Sequence, residues 1–231
     1  MRQYHSINML FKRRLLAFVT LGLFIISAVP NLATAAFSDV PSTHIHATAI
    51  NTLQEAGVIK GYSDGTFKPD VPVNRAESLA IVLKAAGITV EKTPSTLPFS
   101  DVPENEWFFP MVQKGFLMEK VKGYADKTFR PGALITLPEA LALTLSFFNI
   151  STANITIDPV IYSGFDNAQW YAPYAQYAKD NRIIAPSADG TVRPEVALTR
   201  GQLAEIIYRM RKVKETNAPF DSKGNWITSE N

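Results

Sequence analysis

A chain of 231 residues with 46% apolar side chains can bury the core of one or two ordinary domains, which excludes wholesale disorder. It contains no cysteine, so disulfides, thiolate metal sites and cysteine nucleophiles are excluded together. The formal charge of +2 is small, and its sign depends on the first segment of the chain.

Residues 1–35 carry Arg2, Lys12, Arg13 and Arg14 and no acid, then the apolar run Leu15 to Val29, then Ala33-Thr34-Ala35. This order predicts a secretory signal peptide cleaved after Ala35, since the apolar run falls short of the roughly 20 residues a membrane span needs. An uncleaved anchor is the alternative. Cleavage removes four cations and takes the net charge from +2 to −2, so a nucleic-acid partner is not expected, nor is a membrane once the leader is gone.

Beyond the leader the sequence repeats. Phe37-Ser38-Asp39-Val40-Pro41 returns as Phe99-Ser100-Asp101-Val102-Pro103, and the loop Gly61-Tyr62-Ser63-Asp64-Gly65-Thr66-Phe67 returns as Gly123-Tyr124-Ala125-Asp126-Lys127-Thr128-Phe129. A worn third copy starts at Tyr162, with Trp170 where Trp107 stands in the second and Pro186-Ser187 in place of Gly-Tyr. The units run over 36–92, 93–156 and 157–214, followed by a loose tail over 215–231 that leaves no room for another folded domain.

Each unit reads as helix, loop, helix. In the first, Ile45, Ala49, Ile50 and Leu53 keep helical spacing, and Gly57 marks a left-handed stop. Asp64-Gly65 makes a turn, Phe67 plugs the core, and Pro69 and Pro72 delay the next helix until Asn74. Three capping boxes then start the second helices: Asn74 with Glu77, Thr136 with Glu139, Thr199 with Gln202. The predicted class is all-α, with three helical hairpins packed as a pseudo-three-fold bundle because one repeat buries too little to stand alone.

At these residues the chain resembles the S-layer homology (SLH) family, whose signature is F-x-D-V-x-x-x-H/W, then G-Y-x-D-G-T-F-x-P, then I/L-T-R-A-E. The resemblance spans Phe37 to about Lys212 in three copies. It implies an exported, non-enzymatic module that binds cell-wall polysaccharide, typically one carrying pyruvylated amino sugars, in grooves between neighbouring repeats. It further implies that the arginine of T-R-A-E contacts the acidic sugar. A component of a surface lattice, or an adaptor holding another surface protein on the wall, is the alternative.

The candidate arginines are Arg75 and Arg200, at the first helical position, where a cation is mildly unfavourable for the helix and a carboxylate ligand would justify it. A solvated arginine or an intrachain salt bridge is the other reading. In the second repeat the residue is Leu137, followed by Pro138, which keeps the helix start and deletes the anion contact. Since the capping box lies outside the arginine, Arg75→Ala and Arg200→Ala are expected to leave folding nearly unchanged. Trp107, Trp170, Tyr62 and Tyr124 are candidate sugar platforms, with core packing as the alternative. Ile45 replaces the tryptophan in repeat one. Lys60 and Lys122, just before the loop glycines, add candidate positive charge.

No cofactor is expected. His44 and His46 stand two apart and so point to different helix faces, the calcium-loop pattern is missing around Asp64, and no catalytic motif occurs, so neither a metal site nor an enzyme is expected. A wall hydrolase remains the enzymatic rival.

Overall fold

The computed structural model describes residues 37–91, 93, 96–184 and 190–220. The expected leader and residues 221–231 of the expected tail lie outside them. Among the described residues six helices follow one another: α1 (Ala47–Glu55), α2 (Arg75–Ala85), α3 (Phe109–Leu117), α4 (Leu137–Phe147), α5 (Ala172–Asp180) and α6 (Arg200–Thr216). The class is all-α, as expected. Among the described residues no helix is long and apolar enough to cross a membrane.

The second helix of each repeat starts where its capping box places it, whereas α1 begins at Ala47, two residues after Ile45. Asn74 and Thr199 accept the amides of Glu77 and Gln202, while Glu77, Glu139 and Gln202 return the bond to the cap amides. Gly57, at φ +66°, ends the first turn of chain after α1. At the other end α6 runs two residues past Lys214, and Phe220 folds back onto Tyr208 with its amide on the Asn181 carbonyl. That part of the expected tail is therefore packed.

The expectation of hairpins is corrected. Among the described residues, the two helices of a repeat do not pack on each other. Instead α2, α4 and α6 meet around the centre, and each first helix covers the second helix of the repeat before it: α3 on α2, α5 on α4, and α1 on α6 to close the ring. The physical reason is the long connection between the two helices of each repeat, from Glu55 to Arg75, Leu117 to Leu137 and Asp180 to Arg200, which carries the second helix across to a neighbour instead of turning it back. Leu79, Leu141 and Leu203 are fully buried in the shared core, with Phe67, Phe129 and Val192 plugged in from the three loops. Ile45, expected on the apolar stripe of α1, is 44% exposed.

At the centre three loop segments form a closed hydrogen-bond triangle. Val73 N–H donates to Leu198 O at 2.9 Å, Leu198 N–H to Ile135 O at 2.9 Å, and Ile135 N–H to Val73 O at 3.1 Å. This satisfies backbone groups at the buried axis and places the three helix starts side by side.

Candidate functional site

The first motif of each repeat builds the loop. Asp39 accepts the amides of Phe67 and Lys68 at 2.8 and 2.7 Å, and Asp101 those of Phe129 and Arg130 at the same distances. These bonds hold Lys68 and Arg130 at φ +59°, the left-handed region. Inside the turn Asp64 takes the amide and hydroxyl of Thr66, and Asp126 those of Thr128. The Thr128 hydroxyl, aided by Arg130, holds the Asp126 carboxyl down to about 2. A side chain at Gly61 would put its Cβ 2.4 Å from the Phe37 ring and 2.5 Å from Thr66 O, so the loop closes only around glycine.

On this frame the two arginines each reach across a joint. Arg75 extends from repeat one to the second loop, donating from Nε to Phe129 O at 3.1 Å and from Nη1 to Glu139 Oε1 at 3.3 Å. Its guanidinium faces the Tyr124 and Phe129 rings at 5.1 and 5.0 Å. Arg200 does the same toward repeat one: Nε to Phe67 O at 2.8 Å, Nη1 to Glu77 Oε2 at 3.8 Å, and rings of Tyr62 and Phe67 at 4.9 and 4.7 Å. The intrachain salt bridge left open by the sequence is thus present at both. Side-chain exposure is 17% for Arg75 and 8% for Arg200. Residues this enclosed carry stability, so the expectation that their loss leaves folding unchanged does not fit the packing.

The tyrosines are also clamped from outside, by residues the sequence reading missed. Lys68 lies 4.3 Å from the Tyr62 ring centre and Arg130 3.9 Å from that of Tyr124. The signal was legible, since a cation stands before the loop proline in all three copies, as Lys68, Arg130 and Arg193. Tyr124 donates to Glu139 Oε1 at 3.3 Å, and burial above all raises its pKa, which keeps it a donor.

Trp107 and Trp170 are 54% and 58% exposed, so the core-packing alternative falls. Trp170 lines a cavity of about 510 Å3 together with Arg75, Lys122, Tyr124 and Glu139. The groove therefore takes its arginine from repeat one, its tyrosine from repeat two and its tryptophan from repeat three. The same correspondence assigns Arg200, Tyr62 and Trp107 to a second joint, where Lys60 is exposed at the place of Lys122.

The third joint lacks the arginine, tyrosine and tryptophan of the other two. Its three positions are Leu137, Ser187 and Ile45, of which Ser187 lies outside the described residues. Opposite the missing arginine the acid is missing too: Gln202 replaces the Glu77 and Glu139 of the other helices, keeping the cap without a carboxylate to leave unpaired. Leu137, Ile184, Val192 and Leu198 here wall an apolar cleft of about 300 Å3. His44 faces Asp70 at 3.4 Å and His46 faces Glu205 at 3.5 Å; the two rings, expected on different helix faces, lie 5.7 Å apart because His44 stands before α1.

Fold and site together define a ring of three tandem helical repeats with polar, aromatic-lined grooves at the joints. The S-layer homology domain model matches residues 36–77, 98–141 and 166–204, just over half of the chain in three tandem segments, and the chain belongs to that family. It is 34% identical over 115 residues to cell surface glycoprotein 1 of Acetivibrio thermocellus, covering 46% of this chain and 5% of that protein. It is also 34% identical over 110 residues to a cellulosome-anchoring protein of the same organism, covering 46% and 24%. A cell surface protein of Thermoanaerobacter kivui matches over 209 residues at 24% identity, covering 87% of this chain and 25% of the relative. The chain thus spans a quarter or less of each of these relatives.

Proposed function

We propose that this protein is an exported, non-enzymatic module that attaches without covalent bonds to an acidic, pyruvylated polysaccharide of the cell wall. Two grooves bind, at Arg75 with Tyr124 and Trp170, and at Arg200 with Tyr62 and Trp107; the joint at Leu137 does not. The observation that carries this reading is the joint loss at the third joint. Arginine, tyrosine, tryptophan and the opposing glutamate are separate in sequence and come from three repeats, yet they are kept together twice and absent together once. Packing alone gives no reason for an exposed tryptophan to follow an enclosed arginine in this way.

The chemistry suits such a ligand. Each guanidinium spends Nε on a backbone carbonyl and Nη1 on a glutamate, leaving further N–H donors for a sugar carboxylate. The exposed indole supplies an apolar face for a pyranose. Lys60 and Lys122 add positive charge at the rims. The family membership and the surface and anchoring proteins among the relatives support placement at the cell surface.

Sedimentation with purified wall, before and after chemical removal of its polysaccharide, tests the proposal. Retention only before removal is expected. An adaptor role, favoured by the anchoring protein among the relatives, instead gives capture of a second surface protein by the wall-bound chain. Turnover of labelled peptidoglycan would reverse the non-enzymatic reading.

A further inference from the structure

The first helices of repeats two and three each hold a linker by a glutamine. On α3, Gln113 takes the Thr93 amide on Oε1 at 3.0 Å and donates from Nε2 to the Thr93 carbonyl at 2.7 Å. On α5, Gln176 takes the Asp158 amide at 3.0 Å and donates to the Asp158 carboxylate at 3.1 Å. Both glutamines are sealed, at 0% and 1% exposure. The same position on α1 is Asn51, again a side-chain amide. Its Oδ1 is buried with no hydrogen-bond partner among the described residues, yet the residue as a whole is only partly covered. Thr48, one turn earlier on the same face, is exposed, where Pro110 and Pro173 are partly covered in the other repeats. A buried acceptor without a donor is costly, so this stripe of α1 calls for a strand of backbone lying over it.

The ring says which strand. Each held linker runs from a second helix onto the first helix packed against it, from α2 onto α3 and from α4 onto α5. The remaining pair of this kind is α6 with α1, and the chain leaving α6 is the C-terminal tail. From the other side, the expected cleavage after Ala35 leaves Ala36 alone ahead of Phe37. The tail has the length: from Thr216 to Thr228 it matches the stretch from Phe147 to Asp158 to within one residue. It has the pattern too. Ile227-Thr228 repeats the order of Ile157-Asp158, and a threonine is what Gln113 holds, with the Thr93 hydroxyl as a further donor at 3.2 Å. Past Phe220, Trp226 and Ile227 are the apolar residues of an otherwise polar segment.

We propose that residues 221–231 strap the ring from outside, lying extended on α1 with the Thr228 amide donated to Asn51 Oδ1 and Trp226-Ile227 covering the stripe at Thr48 and Asn51. The α1–α6 seam, the one that no inter-repeat linker crosses, is then bridged as the other two are. This does not depend on the glycan reading.

The chain has no cysteine, so Ser229→Cys carries a single nitroxide on the otherwise unaltered full chain. In amide NMR spectra Thr48, Asn51 and Thr52 should lose most of their signal, while Lys114 and Tyr177, which match Thr52 on α3 and α5, keep theirs. Without the label, hydrogen exchange of the Thr228 amide should be slowed about tenfold against a free peptide, the scale of one net hydrogen bond. Asn51→Leu keeps the size and removes the acceptor; it should abolish that protection and leave Thr93 and Asp158 protected. Asn51→Gln copies the other two helices and should increase it. A chain ending at Phe220 should melt about 2–4 °C lower. Label and truncation do not depend on either Asn51 variant folding. Full-strength α1 signals beside the label, or a Thr228 amide exchanging at the free-peptide rate, overturn the proposal. Signal lost at Leu137, Ile184 and Leu198 instead overturns it by placing the tail in the apolar cleft of the third joint. Signal lost from α1 of an isotope-labelled chain mixed with a separate spin-labelled one overturns it by making the strap a second copy's.

Discussion

Glu77 and Glu139 each serve two partners, closing their own capping box and holding an arginine from another repeat. Removing Arg200 leaves Glu77 half-enclosed without its cation and Phe67 O without its donor, so Arg200→Ala should cost about 2–3 kcal/mol by denaturant melts, and Arg75→Ala somewhat less in its more open setting. Wall binding should fall in both. The third joint supplies the control: Arg200→Leu combined with Glu77→Gln copies Leu137 and Gln202, and should be more stable than Arg200→Leu alone. A double variant as unstable as the sum of its parts would mean the pair is not coupled. Asp126 gives a test by pH. Its folded pKa, held to about 2, lies below the ordinary unfolded carboxylate value, so its contribution is complete above about pH 4 and is lost as pH falls through about 2. Carboxyl NMR should place its midpoint near 2, and Thr128→Val should raise it; an unmoved midpoint would remove the hydroxyl as the main cause.

Helix starts were legible in the sequence because a capping box is local, with cap and N3 three residues apart in one element. Partners were not. An apolar stripe such as Leu203, Ile206, Ile207 and Met210 says which face is buried but fits any of three similar first helices, and so the hairpin reading was as natural as the ring that forms. Grooves between neighbouring repeats were implied by the family resemblance, but which residues share one was hidden for the same reason, since Arg75, Tyr124 and Trp170 are brought together across three repeats in a way that no spacing reveals. One interface carries its own label. Where α3 and α5 present Phe108 and Tyr171, α1 presents buried His46, 3.5 Å from Glu205, which in turn accepts from Arg209 Nε at 2.7 Å. The other second helices have Ala80 and Ala142 in place of Glu205. A buried carboxylate set between the Arg209 guanidinium and the His46 ring penalises docking of α1 on the wrong helix. Glu205→Ala should therefore cost about 3–5 kcal/mol in chemical denaturation, because the enclosed Arg209 loses its carboxylate. A loss under 1 kcal/mol would assign α1–α6 pairing to apolar contact alone.

For the molecule as a whole, ring closure makes the repeats interdependent. In an open solenoid each unit leans on its neighbours and the ends fray independently. Here the first helix of repeat one covers the last helix of repeat three, so neither end is free, and the triangle of Val73, Ile135 and Leu198 gives every repeat one donor and one acceptor in the other two. Opening any corner removes bonds from both remaining loops. Native-state hydrogen exchange should consequently show the amides of Val73, Ile135 and Leu198 exchanging with one common free energy, equal to that of global unfolding and with the same denaturant slope. Residues 36–92 expressed alone should stay unfolded, since α1 and α2 do not pack on each other and each lacks its partner from another repeat. The worn third repeat is the sensitive case, with Gly164 in place of the aspartate that clamps the other two loops. If Leu198 exchanged through a smaller opening than Val73 and Ile135, that loop would be a separate unfolding unit, and the closed triangle would not govern the cooperativity of the molecule.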